Sequence, residues 1–399
     1  MATSIVSKER EGGLLGGTLL VAGTSIGAGM LALPVLTSAG GFLPSIVLYF
    51  LSWIVMTFTG LLFLELCLWM GKEANIVSIA ERLLGSAGKV IAWVIYIYLF
   101  TSFTVAYLSG SGQIISSLFG RALPEWTAVC LFVLLFSPLV FVGARAVDKV
   151  NIVLVAGLAV AYVSFIVLGL PHIKGVFLTR VDWSASFISL PVILGSFGFQ
   201  GIIPSLTSYM GRRATKIRLA IILGTTIPFL AYTLWELVIL GIVPLSGSNG
   251  LAVALREGST AVAPLKHFLA APWIYVAGEF FAFFALTSSF LGVTLSFRDF
   301  LADGLRVQKN ARGRFILCLM IFAPTTCITL INPRLFLLAL HYGGGIGSVL
   351  LLGLLPLLLV FALRYRQRVE PGRYEVGGGK PALVVAALFF IGALAAEAF

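Results

Sequence analysis

Residues 21–30 read Val-Ala-Gly-Thr-Ser-Ile-Gly-Ala-Gly-Met, and residues 195–204 read Gly-Ser-Phe-Gly-Phe-Gln-Gly-Ile-Ile-Pro. Each stretch sets three glycines within a long apolar run, with Pro34 following the first and Pro204 closing the second. Glycine loses the most chain entropy on entering a helix, and proline removes a backbone donor, so a continuous helix is disfavoured at both places. The apolar runs that contain them, 13–38 and 185–211, put the weak points near residues 25 and 198, at their middles. Free backbone groups at that depth of a bilayer are tolerated only beside protein or a watery cavity.

Reading outward, the rest of the chain requires that bilayer. Of 399 residues 59% are hydrophobic and 11% charged, against about 45–50% and about 25% in soluble domains. So few charges cannot cover a water-facing surface. Runs of apolar sequence predict eleven spans at 13–38, 42–70, 88–118, 126–143, 148–170, 185–211, 217–243, 271–297, 314–331, 334–363 and 381–398, numbered 1 to 11 below. At about 22 residues each they use roughly 242 residues and leave about 157 for loops, too few for a separate soluble domain. Runs of this length satisfy their own backbone only as helices, whereas a β-barrel would show short alternating segments.

Lysine and arginine sort with the alternation of the gaps. One set (the N-terminus and the gaps after spans 2, 4, 6, 8 and 10) holds 21 of them and the other set 6, accounting for all 27. This split predicts a cytoplasmic N-terminus and an extracytoplasmic C-terminus. The net charge of +11 is therefore a topology signal, and its scatter gives no stripe for nucleic acid. Cys67, Cys130, Cys318 and Cys327 all lie in apolar stretches without paired spacing, which favours inert side chains over disulfides or metal ligation. The N-terminal apolar run is too long for a secretory signal and ends in no clean cleavage motif.

Spans 1 and 6 are five apart and so cross in opposite senses. Two similar broken helices of opposite direction predict an inverted repeat of five spans, with a substrate site at the midplane between them. The first repeat covers 13–170 and the second 185–363, with 381–398 added, in a single transmembrane domain over 1–399. The competing explanation is close helix packing, since Gly12/Gly16, Gly13/Gly17 and Gly23/Gly27 have small-xxx-small spacing. Packing glycines do not require matched depth and ordinal position. Gly23 to Gly27 also matches a nucleophile-elbow pattern and Gly27 to Ala32 a dinucleotide fingerprint, but neither sits in a strand–turn–helix context.

The run Gly17-Thr18-Leu19-Leu20-Val21-Ala22-Gly23-Thr24-Ser25-Ile26-Gly27-Ala28-Gly29-Met30-Leu31-Ala32-Leu33-Pro34 resembles the first span of the hydroxy/aromatic amino acid permeases, most closely their bacterial tyrosine-specific branch. The resemblance extends over essentially the whole chain in span count and loop length. It implies the leucine-transporter fold of the amino acid/polyamine/organocation superfamily, proton-driven uptake and a bacterial inner membrane. Tryptophan and serine/threonine carriers share the motif, so amino acid is implied more firmly than tyrosine.

A zwitterionic substrate needs both charges matched in low dielectric. The start of the second half of span 1 (Gly27, Ala28, Gly29) offers N–H groups and a positive dipole end to a carboxylate. Carbonyls around Gly23, Thr24 and Ser25, and at the span-6 break (Ser196, Gly198), are candidates for the ammonium. Phe197 and Phe199 are candidates either to lie against an aromatic side chain or to pack, and Gln200 is a candidate partner for a phenol hydroxyl, which would discriminate against phenylalanine.

Two coupling ions remain open. Thr287 and Ser288 on span 8 are similar to residues that hold sodium in the sodium-coupled leucine transporter, although Ser and Thr also bond their own helix. For proton coupling the candidates are Glu236, Glu279 and His341, all in the outer half of their spans. A structural pairing of either glutamate with His341 or a backbone group is the alternative, and Glu65 is expected at the interface or in a packing hydrogen bond. No cofactor, firm metal site, nucleic acid or obligatory protein partner is expected, only an amino acid and lipid. An outer helix in the gap 244–270 is expected to lie on the extracellular face, as a lid or a plain cover. Gly343, Gly344 and Gly345 are expected to kink or hinge span 10. A channel would need rings of selectivity groups that one asymmetric chain lacks, and a membrane-embedded enzyme lacks a converging nucleophile and base.

Overall fold

The computed structural model describes residues 12–71, 75–120, 122–269, 272–308, 310–367 and 374–396. Lys8, Arg10, Lys72, Arg121, Lys309, Arg368 and Arg373 of the charge count lie outside them. All regular structure among these residues is helical. Nine helices are long and apolar enough to cross a bilayer, and a tenth span is a helix pair bent by 50°. The expected eleventh, Gly379–Ala395, is apolar and has 17 residues, about 26 Å at helical rise and at the short end of the range for a crossing. Among the described residues the count is therefore ten spans plus this shorter helix.

The bent pair is span 1. Span 1a runs Leu14–Ser25 and span 1b runs Ala28–Thr37. Between them Gly27 is fully extended (φ −167°, ψ −147°), which interrupts the ladder. Span 6 is interrupted less sharply. Span 6a, Leu190–Ser196, gives way at Phe197–Phe199 to one tight turn, Gln200–Ile202, and then to span 6b, Ile203–Tyr209, within one 20-residue crossing. Both interruptions fall where the glycines place them.

Span 2 (Phe42–Met70) and span 7 (Ala214–Ile242) flank these two. Span 1a packs on span 7, span 7 on span 2, and span 2 on both halves of span 6. Span 3 lies within Ile76–Leu118, which is kinked at Gly85 (φ +75°). It packs with span 4 (Glu125–Val142) and span 8 (Pro272–Gly304), while span 8 lies along span 5 (Ala144–Gly169). Span 9 (Ala311–Ile331) joins spans 4 and 3.

Span 10 (Phe336–Arg366) is wound as α-helix mixed with wider π turns, one of which, Ala339–Ile346, holds the three glycines. A side chain at Gly345 would stand 3.0 Å from the Pro191 backbone, and one at Gly195 would stand 2.9 Å from the Gly344 carbonyl. These glycines thus let span 10 press its backbone against span 6a.

The face carrying most of the Lys and Arg, called here the basic face, uses them as helix caps as well as topology signals. Arg212 donates to the Leu68 carbonyl (2.6 Å), and Arg314 to Val142 (2.9 Å), at the ends of spans 2 and 4. Arg298 donates to Val140. Cations at C-terminal carbonyls complement the helix dipole. Glu65 and Arg364 form a buried bidentate pair (2.5 and 2.7 Å) that also takes the Val376 N–H, tying span 2 to the end of span 10. Glu65 is thus in a packing hydrogen bond, as expected. Cys67, Cys130, Cys318 and Cys327 are all free.

On the opposite face the outer helix is Leu251–Glu257. Leu251 and Ala254 are buried against span 1b, and the Ala261 N–H donates to the Leu31 carbonyl (2.9 Å).

Candidate functional site

The two interruptions meet. A side chain at Gly29 would collide with Ser196, whose Cα lies 3.2 Å from that point, so the start of span 1b and the end of span 6a touch only because residue 29 has none. Tyr232 of span 7 stands between them, its hydroxyl 2.6 Å from the Ser25 carbonyl and 2.8 Å from the Ser196 carbonyl. It has one proton for two acceptors, so it serves one break at a time. Tyr49, Phe197 and Tyr232 form a buried ring cluster with centroids 5.1 to 6.5 Å apart, in edge-to-face contact.

The start of span 1b is a bare helix terminus. No side chain caps it, and its N-cap is Gly27. Backbone N–H groups and a positive dipole end make such a terminus an anion site. The break in span 6 is handled differently. Gln200, fully buried, accepts from the Phe199 N–H (3.0 Å) and donates to the Met56 carbonyl (3.2 Å) and Thr59 hydroxyl (3.0 Å). Its N–H groups brace the break to span 2 and its oxygen takes the Phe199 N–H, a structural role that stands beside the expected one as a phenol partner.

Other expectations are corrected by the geometry. Gly23 and Thr24 are exposed on span 1a, while the helical period turns Val21 and Ser25 into the protein. The Ser25 carbonyl already takes Tyr232. The hydroxyls of Thr24, Ser25 and Ser196 bond carbonyls of their own helices (2.7, 3.5 and 2.8 Å), so the available dipoles here are backbone ones. Phe197 and Phe199 are buried rather than lipid-facing, Phe197 in the ring cluster and Phe199 against Gly60. Gly27, Ala28, Gly29, Ser196 and Phe197 come together, and Gly198 lies beyond them against Leu352 and Gly195.

On span 8, Thr287 bonds its own helix at Phe283 (2.7 Å) and Ser288 bonds Asn151 of span 5 (2.5 Å). The residue that faces the span-1 break is Ser289, whose hydroxyl a side chain at Gly27 would strike. One residue along a helix turns a side chain by about 100°, which is why the neighbouring hydroxyl takes the place.

Neither glutamate pairs with His341. Glu236 is fully buried and accepts from Thr37 of span 1b (2.5 Å) and Tyr49 of span 2 (2.8 Å). Glu279 accepts from Tyr275. His341 lies in the π turn of span 10, edge-on to Tyr342 at 4.9 Å.

Sequence reading missed Tyr232, Tyr49, Thr37 and Ser289. One signal was present: Tyr232 and Glu236 are four apart and so share a face of span 7. No group of metal-holding residues occurs among the described residues.

The fold has a counterpart among solved structures. The crystal structure of MhsT in complex with L-phenylalanine superposes with a TM-score of 0.69, covering 98% of this chain and all of that one at 14% identity. That likeness shows a leucine-transporter fold. In sequence, the tyrosine-specific transport system 1 of Haemophilus influenzae is 35% identical, over 93% of each chain. The tryptophan-specific transport protein of Pseudomonas aeruginosa is 33% identical, over 96% of this chain and 93% of the relative. Residues 10–396 match the tryptophan/tyrosine permease family. The chain is a multi-pass membrane transport protein, not an enzyme, and it belongs to the tryptophan/tyrosine permease family.

Proposed function

We propose that this permease imports an aromatic amino acid, tyrosine foremost, across the bacterial cytoplasmic membrane by proton symport and alternating access. The observation that carries the reading is the uncapped start of span 1b at Gly27, set against the span-6 break with Tyr232 between them. The substrate carboxylate takes the bare N–H groups of Ala28 and Gly29, and its ring takes the place beside Phe197, Tyr49 and Tyr232. Relatives named for tyrosine and for tryptophan support an aromatic substrate and leave these two as the contenders. The basic face is cytoplasmic on the charge split, with the N-terminus inside. The five-span repeats 13–170 and 185–363 rock against one another, with 381–398 outside the pair.

Glu236 is the proton carrier in this scheme. It joins span 1b to span 2 and span 7 through two hydroxyl donors, and no basic side chain pairs with it among the described residues. Taking or losing a proton therefore changes what holds span 1b. A sodium-coupled version rests on Ser289 at the span-1 break and is the second reading.

The test is uptake of labelled tyrosine at clamped potential, with sodium removed and external pH varied, and with tryptophan, phenylalanine, serine and threonine as competitors. Accumulation that rises as external pH falls and ignores sodium is expected, with competition by tryptophan only among these four. Sodium-dependent, pH-independent accumulation overturns the proton assignment. Stronger competition by serine than by tryptophan overturns the aromatic one.

A further inference from the structure

A second polar centre lies away from the breaks, at the face opposite the basic one, where the end of span 3, the outer loop and the start of span 8 meet. It encloses a hollow of about 40 Å³, room for about two or three waters. Thr260 of the loop lines it, 1% exposed, and its hydroxyl has no hydrogen-bond partner among the described residues. A buried hydroxyl left so is costly, and a polar hollow of this size supplies the remedy in water.

From the hollow a chain of hydroxyls leads inward. Ser117 of span 3 is 2.7 Å from the Tyr275 hydroxyl, and Tyr275 donates to Glu279, one helical turn further along span 8. With the tyrosine proton committed to the carboxylate, Ser117 is the donor to Tyr275. The other charged groups lining the hollow are Glu125, at the start of span 4, and Lys266 of the loop. Glu279 itself is 3% exposed. The roof of the hollow is fastened to the moving parts of the transporter: Gln113 donates to the Gly258 carbonyl (3.1 Å), and the loop bonds span 1b through Ala261 and Leu31 (2.9 Å).

We propose that this hollow is a hydrated proton-accepting site open to the external side, with Glu279 as acceptor and Ser117 and Tyr275 as the route. A proton brought into the hollow as hydronium goes to the Ser117 oxygen, leaving water behind, as Ser117 passes its own to Tyr275. Tyr275 in turn gives its proton to Glu279, so each hydroxyl is restored and the carboxylate becomes a carboxylic acid. The site stands separately from Glu236, and its use in transport rests on the proton-driven reading. Its ability to take a proton does not.

The experiment pairs infrared difference spectra of the purified full chain, taken across a pH titration in H₂O and D₂O, with uptake against external pH. Wild type should show a carboxylic C=O band on acidification that Glu279→Gln lacks. Tyr275→Phe, which keeps the carboxyl, should move that band. Wild-type uptake should fall about tenfold per unit of external pH above its midpoint, the slope of one titrating group, and Glu279→Gln should move that midpoint while Glu236 keeps the slope. A band and midpoint unchanged in Glu279→Gln overturn the proposal, as does a band that Tyr275→Phe leaves in place or one that responds to sodium rather than pH. A band assigned to Glu279 together with pH-indifferent wild-type uptake leaves the proton site standing and removes the proton-driven reading.

Discussion

The breaks in spans 1 and 6 look alike in sequence and are finished differently in the structure. Each has three glycines and a proline, yet span 1 turns by 50° through an extended Gly27 with no side-chain cap. Span 6 keeps a tight turn, and Gln200 bonds the loosened Phe199 N–H while anchoring to Met56 and Thr59. One break is closed by the protein's own side chain, and the other is left uncapped, where we propose that the substrate carboxylate binds. An interrupted helix binds something only where the interruption is left unsatisfied, so the pair divides into a binding half and a bracing half.

The largest effect expected from that division is at residue 27. Gly27→Leu would drive a side chain into Ser289 and cover the bare N–H groups. Uptake should fall by more than about 100-fold, while the protein inserts and melts as a folded chain, because a well-aligned charge-assisted site is worth roughly 3 kcal/mol. Transport near wild type would remove the carboxylate from this terminus.

At the other break the loss should appear as stability. Gln200→Leu strands the Phe199 N–H and removes both donations to span 2, where the Thr59 hydroxyl keeps its bond to the Met56 carbonyl (3.1 Å). A loss of about 1–3 kcal/mol is expected from leaving a buried group unpaired, read as a lower melting temperature in detergent. Substrate affinity in the surviving folded fraction should change little. A large loss of affinity without a stability loss would make Gln200 a substrate ligand and erase the distinction.

Tyr232→Phe tests the link between the two halves. It removes one hydroxyl shared by two carbonyls, a change of about 1 kcal/mol, so a drop of about fivefold in uptake is expected. A null effect would mean that the breaks act independently.

The smallest effect belongs to the approach to span 6. Asp182 caps the short helix Trp183–Phe187 by accepting the Ala185 N–H (3.1 Å), and that bond holds its carboxyl below the usual range. Its contribution is therefore present above the unfolded pKa and lost as pH falls through the folded one. Asp182→Ala should lower the melting temperature slightly near neutrality and not at all in acid.

Much of this was legible in the sequence for physical reasons. Apolar runs of about 20 residues have few structural options, so the spans could be read, and glycine with proline marks a weak helix wherever it falls. What could not be read was how each weakness is resolved. Gln200 in an apolar span looks like a substrate ligand, because its partners Met56 and Thr59 are more than a hundred residues away. Tyr49 and Tyr232 look like packing aromatics until their hydroxyls are placed. Gly23 and Thr24 drop out, and Ser289 replaces Thr287 and Ser288, through helix rotation, which a motif does not carry. The eleventh span was read at 381–398, and the helix there, Gly379–Ala395, stands at the short end of the range for a crossing.

The central claim is that the span-1 terminus, and not the span-6 break, takes the substrate carboxylate. Amide chemical shifts of Gly27, Ala28, Gly29 and Phe199 in labelled protein test it directly, with tyrosine compared against tyrosine methyl ester. The account predicts that tyrosine moves the Ala28 and Gly29 amides, that the ester does not, and that Phe199 stays put. Shifts at Phe199 with the span-1 amides unmoved would contradict it.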